Sequence, residues 1–285
     1  IERAGVHSGD SIAVYPPYNI NDKMLQTLVD LSGRLALALG TKGLVNIQYL
    51  LYQNEPYVIE VNPRASRTVP YISKVSGVPM VELAAKVMVG KALKDLGYGT
   101  GLYKSPPYYA VKVPVFSFEK LVDVNSYLGP EMKSTGEVLG IGKTIKEALF
   151  KGLTSANISI RVPFSGERVG VFLSVDGNDL FEVVGVAKKF DELGFGLYAT
   201  KETAKSISRL GINVTRVHGM RDVDGAFSYL EKGNISYIIY TGALEDSTLE
   251  DYIALHRRAV QLGIPCLTSL DTANALADII GARYN

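Results

Sequence analysis

In the last part of the chain, short apolar runs alternate regularly with amphipathic helical patterns. The runs are VGVFLSV, FGLYAT, INVTRV, SYIIYT and IPCLTS, and a helical pattern follows each of them. Strands that are separated by helices pair in parallel, with the helices on the two faces of the sheet. The alternation therefore predicts an α/β domain built on a doubly wound parallel sheet of five strands.

The first part of the chain has a mixed pattern that favours an α+β domain. Between Asn21 and Gly40, leucines recur at three- and four-residue steps, which predicts a helix that Asn19 or Asn21 caps. A second helix is predicted over residues 81–96. The segment GLVNIQYLLYQNEPYVIEVN is predicted to form a β-hairpin with its turn at residues 53–56.

Three further segments complete this part. YYAVKVPVFSF has the composition of a strand, LGPEMKSTGEVLGIGKT is polar and glycine-rich, and TIKEALFKGLTSA is predicted to be a helix. The pattern changes at VPFSGE. We therefore place a boundary near residue 162, which gives domains at residues 1–162 and 163–285.

Composition narrows the classes of function. The formal net charge is +1, so no broad basic field exists to hold nucleic acid. No apolar run approaches the roughly 20 residues that span a bilayer, which argues against a membrane protein. Cys266 is the sole cysteine, which fits a reducing cytoplasm. The chain begins at Ile1 with neither Met nor a signal-like start, which suggests a fragment of a longer protein.

The predicted hairpin ends in an unusual cluster of polar side chains. If its turn is centred on Asn54, Gln48 and Glu60 are cross-strand partners, because each lies six residues from it. Side chains alternate along a strand, so Glu60 and Asn62 share one face. Carboxylate and amide oxygens suit hard divalent cations such as Mg²⁺. The sequence therefore points to a metal site.

Two arginines follow the strand directly. The guanidinium groups of Arg64 and Arg67 match phosphate oxygens in shape and neutralise charge on a phosphoryl group. The alternative is a solvated strand end whose charges pair with one another. The spacing of the residues alone does not distinguish this alternative from a phosphate-binding site.

Several motifs together resemble one family. NIQY, the following IEVNPRASRTVP, the opening GVHSGDS and GPEMKSTGEVLGIG resemble the large subunit of carbamoyl-phosphate synthetases. The similarity is to the C-terminal ATP-grasp half, which phosphorylates carbamate, followed by a regulatory domain of the methylglyoxal-synthase-like type. The implied activity is that of an ATP-dependent ligase, in pyrimidine synthesis, arginine synthesis or both.

The resemblance also implies ligands and partners. ATP and two ions of Mg²⁺ or Mn²⁺ would bind at the first domain, with K⁺ as a further candidate. A glutaminase small subunit and the remaining large-subunit domains would be partners, in an oligomeric assembly. By resemblance, the metal ligands are Gln48, Glu60 and Asn62. The arginines on the phosphate side are Arg64 and Arg67. The residues beside the nucleotide are His7 and Ser8, and Gln48 and Glu60 also belong to this group.

A regulatory site is implied by a set of residues far apart in the chain. Glu2, Asp10 and Glu137 match carboxylates that bind ornithine in relatives that respond to it, and Thr268 matches another residue of that pocket. CLTS departs from the family here, because an aromatic–acid pair precedes the threonine in the ornithine-regulated enzymes.

A second effector site is implied at the junction of a strand and a helix. Thr200 and Thr203 match residues that hold the phosphate of a nucleotide such as UMP or IMP. The two effector lysines of the family are absent, since Leu180 and about Gly219 stand at their positions. The alternative is that Thr200 simply caps a helix.

Other functions fit less well. GEVLGIGKT is not a phosphate-binding loop, because Gly136 lies one residue too far from Gly142. The catalytic Asp and His of methylglyoxal synthases find no counterpart. Another ATP-grasp carboxylate–amine ligase, which would share only the metal cluster, and a non-catalytic effector-binding or assembly module stay open as alternatives.

Overall fold

A computed structural model describes residues 4–117, 128–163, 169–242 and 249–284 of the chain. Its strands are β1 Ala13–Tyr15, β2 Asn46–Tyr52, β3 Glu55–Asn62, β4 Tyr109–Val115, β5 Gly136–Gly142, β6 Gly170–Ser174, β7 Gly196–Ala199, β8 Thr215–Arg216, β9 Ile235–Tyr240 and β10 Cys266–Leu267. Its helices are α1 Asp22–Ala38, α2 Thr68–Ser76, α3 Met80–Met88, α4 Ile145–Ser155, α5 Glu182–Glu192, α6 Lys201–Ser208, α7 Ala226–Glu231, α8 Leu249–Gln261 and α9 Leu270–Tyr284.

The chain divides into two compact units. The smaller unit is Val14–Ala110, and the larger unit comprises Ile1–Ala13 and Val111–Asn285. The boundary that the sequence suggests, near residue 162, falls within the larger unit and stays a prediction.

In the smaller unit, the first predicted helix is confirmed. The side-chain oxygen of Asn21 accepts a hydrogen bond of 2.8 Å from the backbone N–H of Met24 and so caps α1. The helix predicted over residues 81–96 is wrong in extent. It ends at Met88, because Gly90 takes a φ of 98°, which a helix does not allow.

Three elements were not predicted from the sequence. Strand β1 precedes the first predicted helix, helix α2 follows the polar cluster directly, and strand β5 lies in the segment that was interpreted only as polar and glycine-rich. Gly140 and Gly142 of β5 allow close packing on α4. A Cβ atom at Gly140 would lie 1.9 Å from the carbonyl oxygen of Ala148. β5 belongs to a three-stranded sheet of order β1-β4-β5.

The doubly wound sheet of the larger unit is confirmed. Its strand order is β10-β9-β6-β7-β8, and all four neighbouring pairs of strands are parallel. Every residue of the two central strands, β6 and β9, is buried, as expected for a sheet that helices cover on both faces. The core includes Val171, Phe172, Leu173, Tyr237, Ile238 and Ile239.

In the described ranges, no helix combines the length and the apolar character that a membrane span requires.

Candidate functional site

The hairpin of β2 and β3 carries the predicted metal ligands. Its turn consists of Gln53 and Asn54, which take positive φ values of 50° and 60°. Two consecutive positive φ values match the twist of a tight two-residue hairpin turn. The turn therefore fixes the register of both strands.

The register places Gln48 opposite Glu60 through a β-bulge. From the turn outward, residues pair regularly as far as Tyr49 and Val58, and the register then shifts so that Gln48 pairs with Glu60. Without the shift, Gln48 would lie opposite Ile59. The extra residue in β3 is therefore what brings the predicted amide and carboxylate together.

One step further from the turn, Asn46 pairs with Asn62. Directly opposed residues of an antiparallel pair point to the same face, and so do residues two apart in a strand. Asn46, Gln48, Glu60 and Asn62 thus present four oxygen-bearing side chains on one face. The sequence analysis missed Asn46, although its position two residues before Gln48 was a sufficient signal.

The donor set fits a hard divalent cation. It combines one carboxylate with three amides, and oxygen is the ligand atom that Mg²⁺ and Mn²⁺ prefer. In the described residues, no group of three or more His, Cys, Asp or Glu side chains could hold a metal ion, so a metal centre of that kind is not an alternative there.

Within the described residues, the Glu60 carboxylate does not form an ion pair. Glu60 is exposed, and within the described ranges its side chain makes no hydrogen bond or salt bridge. Arg64 instead donates from Nη1 to the carbonyl oxygen of Ala65, at 2.9 Å. The alternative interpretation, in which these charges pair with one another, is therefore wrong for Glu60 and Arg64.

The two arginines lie between β3 and α2. Arg64 is exposed, and Arg67 is an exposed residue at the N-terminal end of α2. The N-terminal end of a helix carries a partial positive charge, which adds to that of the guanidinium groups. This part of the smaller unit therefore favours an anion.

His7 and Ser8 belong to the larger unit. The His7 Nδ1 atom accepts a hydrogen bond of 3.0 Å from the backbone N–H of Gly9 and caps a 3₁₀ turn at Ser8–Asp10. Lys112, which is 1% exposed, donates from Nζ to the carbonyl oxygens of Ser8 (3.2 Å) and Gly9 (3.3 Å). The sequence analysis missed Lys112, whose partners lie about a hundred residues away in sequence.

Asp10 also anchors this turn. Its two carboxylate oxygens accept backbone N–H groups of Lys133 and Ser134, each at 2.8 Å, and the residue is 1% exposed. Asp10 and Thr268 line one cavity of the larger unit. Glu137 is exposed on β5 and is not among the lining residues, whereas Glu2 lies outside the described residues.

Thr200 and Thr203 form a hydroxyl cluster at the carboxyl ends of β6 and β7. Thr200 stands at the N-cap position of α6, but its side chain makes no capping hydrogen bond. Its Oγ1 atom lies 3.2 Å from that of Thr203 and 3.4 Å from Oγ of Ser174, and the Val175 backbone N–H donates to Thr203 at 3.3 Å. Thr200 therefore occupies the N-cap position that the capping interpretation gives it, but its hydroxyl group does not make the capping hydrogen bond.

Two family models match the chain. Residues 2–96 match the ATP binding domain of the carbamoyl-phosphate synthase L chain, and residues 182–268 match the MGS-like domain. The two matches lie on either side of residue 162.

Curated relatives cover almost the whole chain. It is 45% identical over 280 residues to the carbamoyl phosphate synthase large chain of Clostridium botulinum (strain Langeland), which is 98% of this chain and 26% of that protein. The large chain of Lachnoclostridium phytofermentans is 46% identical over 97% of this chain and 26% of its own length. This chain thus spans about a quarter of the length of these relatives.

One of the solved structures that this chain is similar to is the crystal structure of methylglyoxal synthase from Elizabethkingia anophelis. The match covers 42% of this chain and 82% of that chain, at 23% identity and a TM-score of 0.33.

Proposed function

Because this chain belongs to the family of carbamoyl phosphate synthase large chains, we propose that it is the part of such a ligase that phosphorylates carbamate. In the proposed reaction, a carbamate oxygen takes the γ-phosphoryl group of ATP, which yields carbamoyl phosphate and ADP. The cytoplasm is the proposed location.

One observation carries the catalytic proposal. Gln48 lies directly opposite Glu60, and in the described residues the Glu60 carboxylate has no protein partner. A carboxylate and an amide held on a rigid hairpin are preorganised for a cation, because no side-chain rearrangement of an ion pair has to precede binding.

Each residue has a proposed role. Gln48, Glu60 and Asn62 would hold two divalent ions, Mg²⁺ or Mn²⁺, with Asn46 as a further oxygen donor on the same face. When bound, these ions would neutralise charge on the phosphate chain of ATP. Arg64 and Arg67 would hold the oxygens of the transferring phosphoryl group, and His7 and Ser8 would contact the nucleotide. K⁺ is a further proposed cofactor.

The proposal includes a regulatory role for the larger unit. The cavity that Asp10 and Thr268 line is the proposed effector site, and the Thr200–Thr203 cluster is a second candidate. The proposed partners of this chain are a glutaminase small subunit, which would supply ammonia, and the other large-chain domains. The full enzyme would make carbamoyl phosphate for pyrimidine or arginine synthesis.

The partial back-reaction tests the catalytic proposal. In the full-length enzyme, ATP formation from carbamoyl phosphate and MgADP is compared between wild type and Glu60→Gln. Glu55→Gln is the matched control, because Glu55 is an exposed carboxylate of the same strand.

We expect Glu60→Gln to lose at least about 100-fold in turnover, while Glu55→Gln stays within about twofold. Native circular dichroism of both variants shows that the fold is intact. Unchanged turnover in Glu60→Gln would refute the metal assignment and favour a non-catalytic regulatory module.

A further inference from the structure

Lys112 is a buried lysine to which the proposed function assigns no role. It lies in β4, where residues 111–114 are all buried, and the residue itself is 1% exposed. Lysine is almost never buried to this degree unless its charge is paired or hydrogen-bonded. The partners of its ammonium group therefore indicate what it contributes.

These partners are two consecutive carbonyl oxygens of the turn at Ser8–Asp10. The Nζ atom of Lys112 donates to the carbonyl oxygen of Ser8 at 3.2 Å and to that of Gly9 at 3.3 Å. Because the surrounding part of β4 is buried, the ammonium group has a fixed place from which to orient both carbonyl groups.

The Ser8–Gly9 peptide group connects Lys112 to His7. Its carbonyl oxygen accepts a hydrogen bond from Lys112, and its N–H, which belongs to Gly9, donates to Nδ1 of His7 at 3.0 Å. The carbonyl group and the N–H group of a planar trans peptide point in opposite directions. The two hydrogen bonds therefore hold this one peptide group from both sides.

Hydrogen bonds in such a chain strengthen one another. A cation at the carbonyl oxygen polarises the peptide group and makes its N–H a better donor. The Nδ1 atom of His7 that accepts this N–H has no proton of its own, so the neutral imidazole carries its proton on Nε2. Lys112 thus favours one orientation and one tautomer of His7, in which Nε2–H is a hydrogen-bond donor.

We propose that Lys112 is a positioning residue for the phosphorylation of carbamate, which acts through the Ser8–Gly9 peptide group to hold His7 as an Nε2–H donor to a phosphate oxygen of the nucleotide. The inference rests on the proposed contact between His7 and the nucleotide, and it adds a residue and a direction of hydrogen bonding to that contact. In this arrangement His7 does not act as a general base, because Nε2 already carries the proton.

A double-mutant cycle tests whether Lys112 acts through His7. His7→Asn keeps an oxygen acceptor near the position of Nδ1, so it can still cap the turn, but it lacks the Nε2–H donor. Lys112→Met keeps most of the apolar stem and removes the ammonium group. ATP formation from carbamoyl phosphate and MgADP is measured on the full-length enzyme with either substitution and with both, and yields kcat and the KM for MgADP.

The expected losses are not multiplicative. We expect Lys112→Met to lower kcat/KM about 10-fold and His7→Asn to lower it about 10- to 100-fold. The double variant should stay within about twofold of His7→Asn, because Lys112 has no donor left to position. A merely structural role of Lys112 would instead multiply the two losses.

Ser134→Ala is the matched control. The Ser134 Oγ atom donates to the carbonyl oxygen of Gly9 at 3.3 Å, so the substitution removes a hydrogen bond from the same turn but leaves the Ser8–Gly9 peptide group with both of its partners. Its kcat/KM should stay within about twofold of wild type. If native circular dichroism shows that Lys112→Met does not fold, Lys112→Gln replaces it in the cycle, with a smaller loss that His7→Asn should mask in the same way.

Losses that multiply in the double variant overturn the inference and leave the proposed function in place. Wild-type kcat/KM in the folded Lys112 variant also overturns it, and so does a loss in Ser134→Ala as large as that in the Lys112 variant. Full activity of His7→Asn overturns both the inference and the proposed nucleotide contact. Glu60→Gln, measured in the same assay, tests the metal assignment separately.

Discussion

Gln48 lies opposite Glu60 because β3 contains one more residue than β2 between this pair and the turn. The same register brings Asn46 opposite Asn62, one step further along the hairpin. The oxygen-bearing face is thus defined by two consecutive cross-strand pairs.

Asn46 is expected to matter for the proposed metal site. Asn46→Ala removes one oxygen donor from the face while leaving the strand able to pair, so ATP formation from carbamoyl phosphate and MgADP should fall about 10- to 100-fold. The apparent affinity for Mn²⁺ should fall with it. Glu55→Gln again serves as the control, and an Asn46→Ala enzyme of normal activity and normal Mn²⁺ affinity would contradict the prediction.

Gly140→Ala is expected to destabilise the larger unit. The added methyl group would meet the Ala148 carbonyl oxygen at 1.9 Å and the Gly152 backbone nitrogen at 2.4 Å. Overpacking against backbone costs about 1–3 kcal/mol or more, measured as the free energy of unfolding in urea. Gly136→Ala is the control in the same strand, because nothing lies within 4 Å of its new methyl group. Equal stability of the two variants would show that β5 and α4 separate without cost.

Lys112→Met is expected to loosen the turn at Ser8–Asp10. The substitution keeps most of the apolar stem but removes the charged donor to two carbonyl oxygens, and such hydrogen bonds contribute about 1.5–3 kcal/mol. Urea unfolding should show a loss of about that size, and amide exchange should accelerate in residues 7–11. Lys104→Met, at an exposed position, should change neither quantity. Unaltered amide exchange in residues 7–11 would show that the hydrogen bonds of Lys112 do not stabilise this turn.

His256 is expected to make stability fall in acid. Burial lowers the pKa of its imidazole from 6.5 to about 4 in the folded chain, so between these values the unfolded state binds a proton that the folded state does not. Stability is therefore complete above pH 6.5 and declines as the pH falls toward 4, by roughly 3 kcal/mol in total.

The comparison with His256→Gln isolates this contribution. The free energy of unfolding is measured in urea from pH 7 to pH 4, and the variant should show a shallower decline than wild type. His218→Gln is the control at an exposed histidine and should keep the wild-type slope. Parallel curves for wild type and His256→Gln would show that the buried imidazole is not the acid-sensitive group.

Local patterns were sufficient to predict the parallel sheet. Each of its strands is an apolar run bounded by a helical pattern, so no long-range information was needed. Strand β5 was missed because glycine usually marks turns, whereas Gly140 and Gly142 are required by the close approach of α4. The helix predicted beyond Met88 failed because an apolar pattern does not reveal the positive φ of Gly90.

The candidate site was predictable only in part. The sequence analysis assumed a turn centred on Asn54, and counting six residues in each direction paired Gln48 with Glu60. In the structure the turn consists of Gln53 and Asn54, and the extra residue in β3 at the β-bulge produces the same pair. The contacts of Lys112 join residues about a hundred positions apart, which spacing in a single sequence does not encode. Hydrogen bonds of this kind depend on the assembled fold.

The turn at Ser8–Asp10 constrains how the sequence of this chain can evolve. Its first residue, with His7, is proposed to contact the nucleotide, its last residue lines the proposed effector cavity, and Lys112 donates hydrogen bonds to the backbone between them. A substitution in these four positions is therefore expected to be pleiotropic, altering substrate affinity and effector response together. Selection on either property constrains the other, so regulatory novelty should arise more readily in the opposite wall, at Cys266 and Leu267.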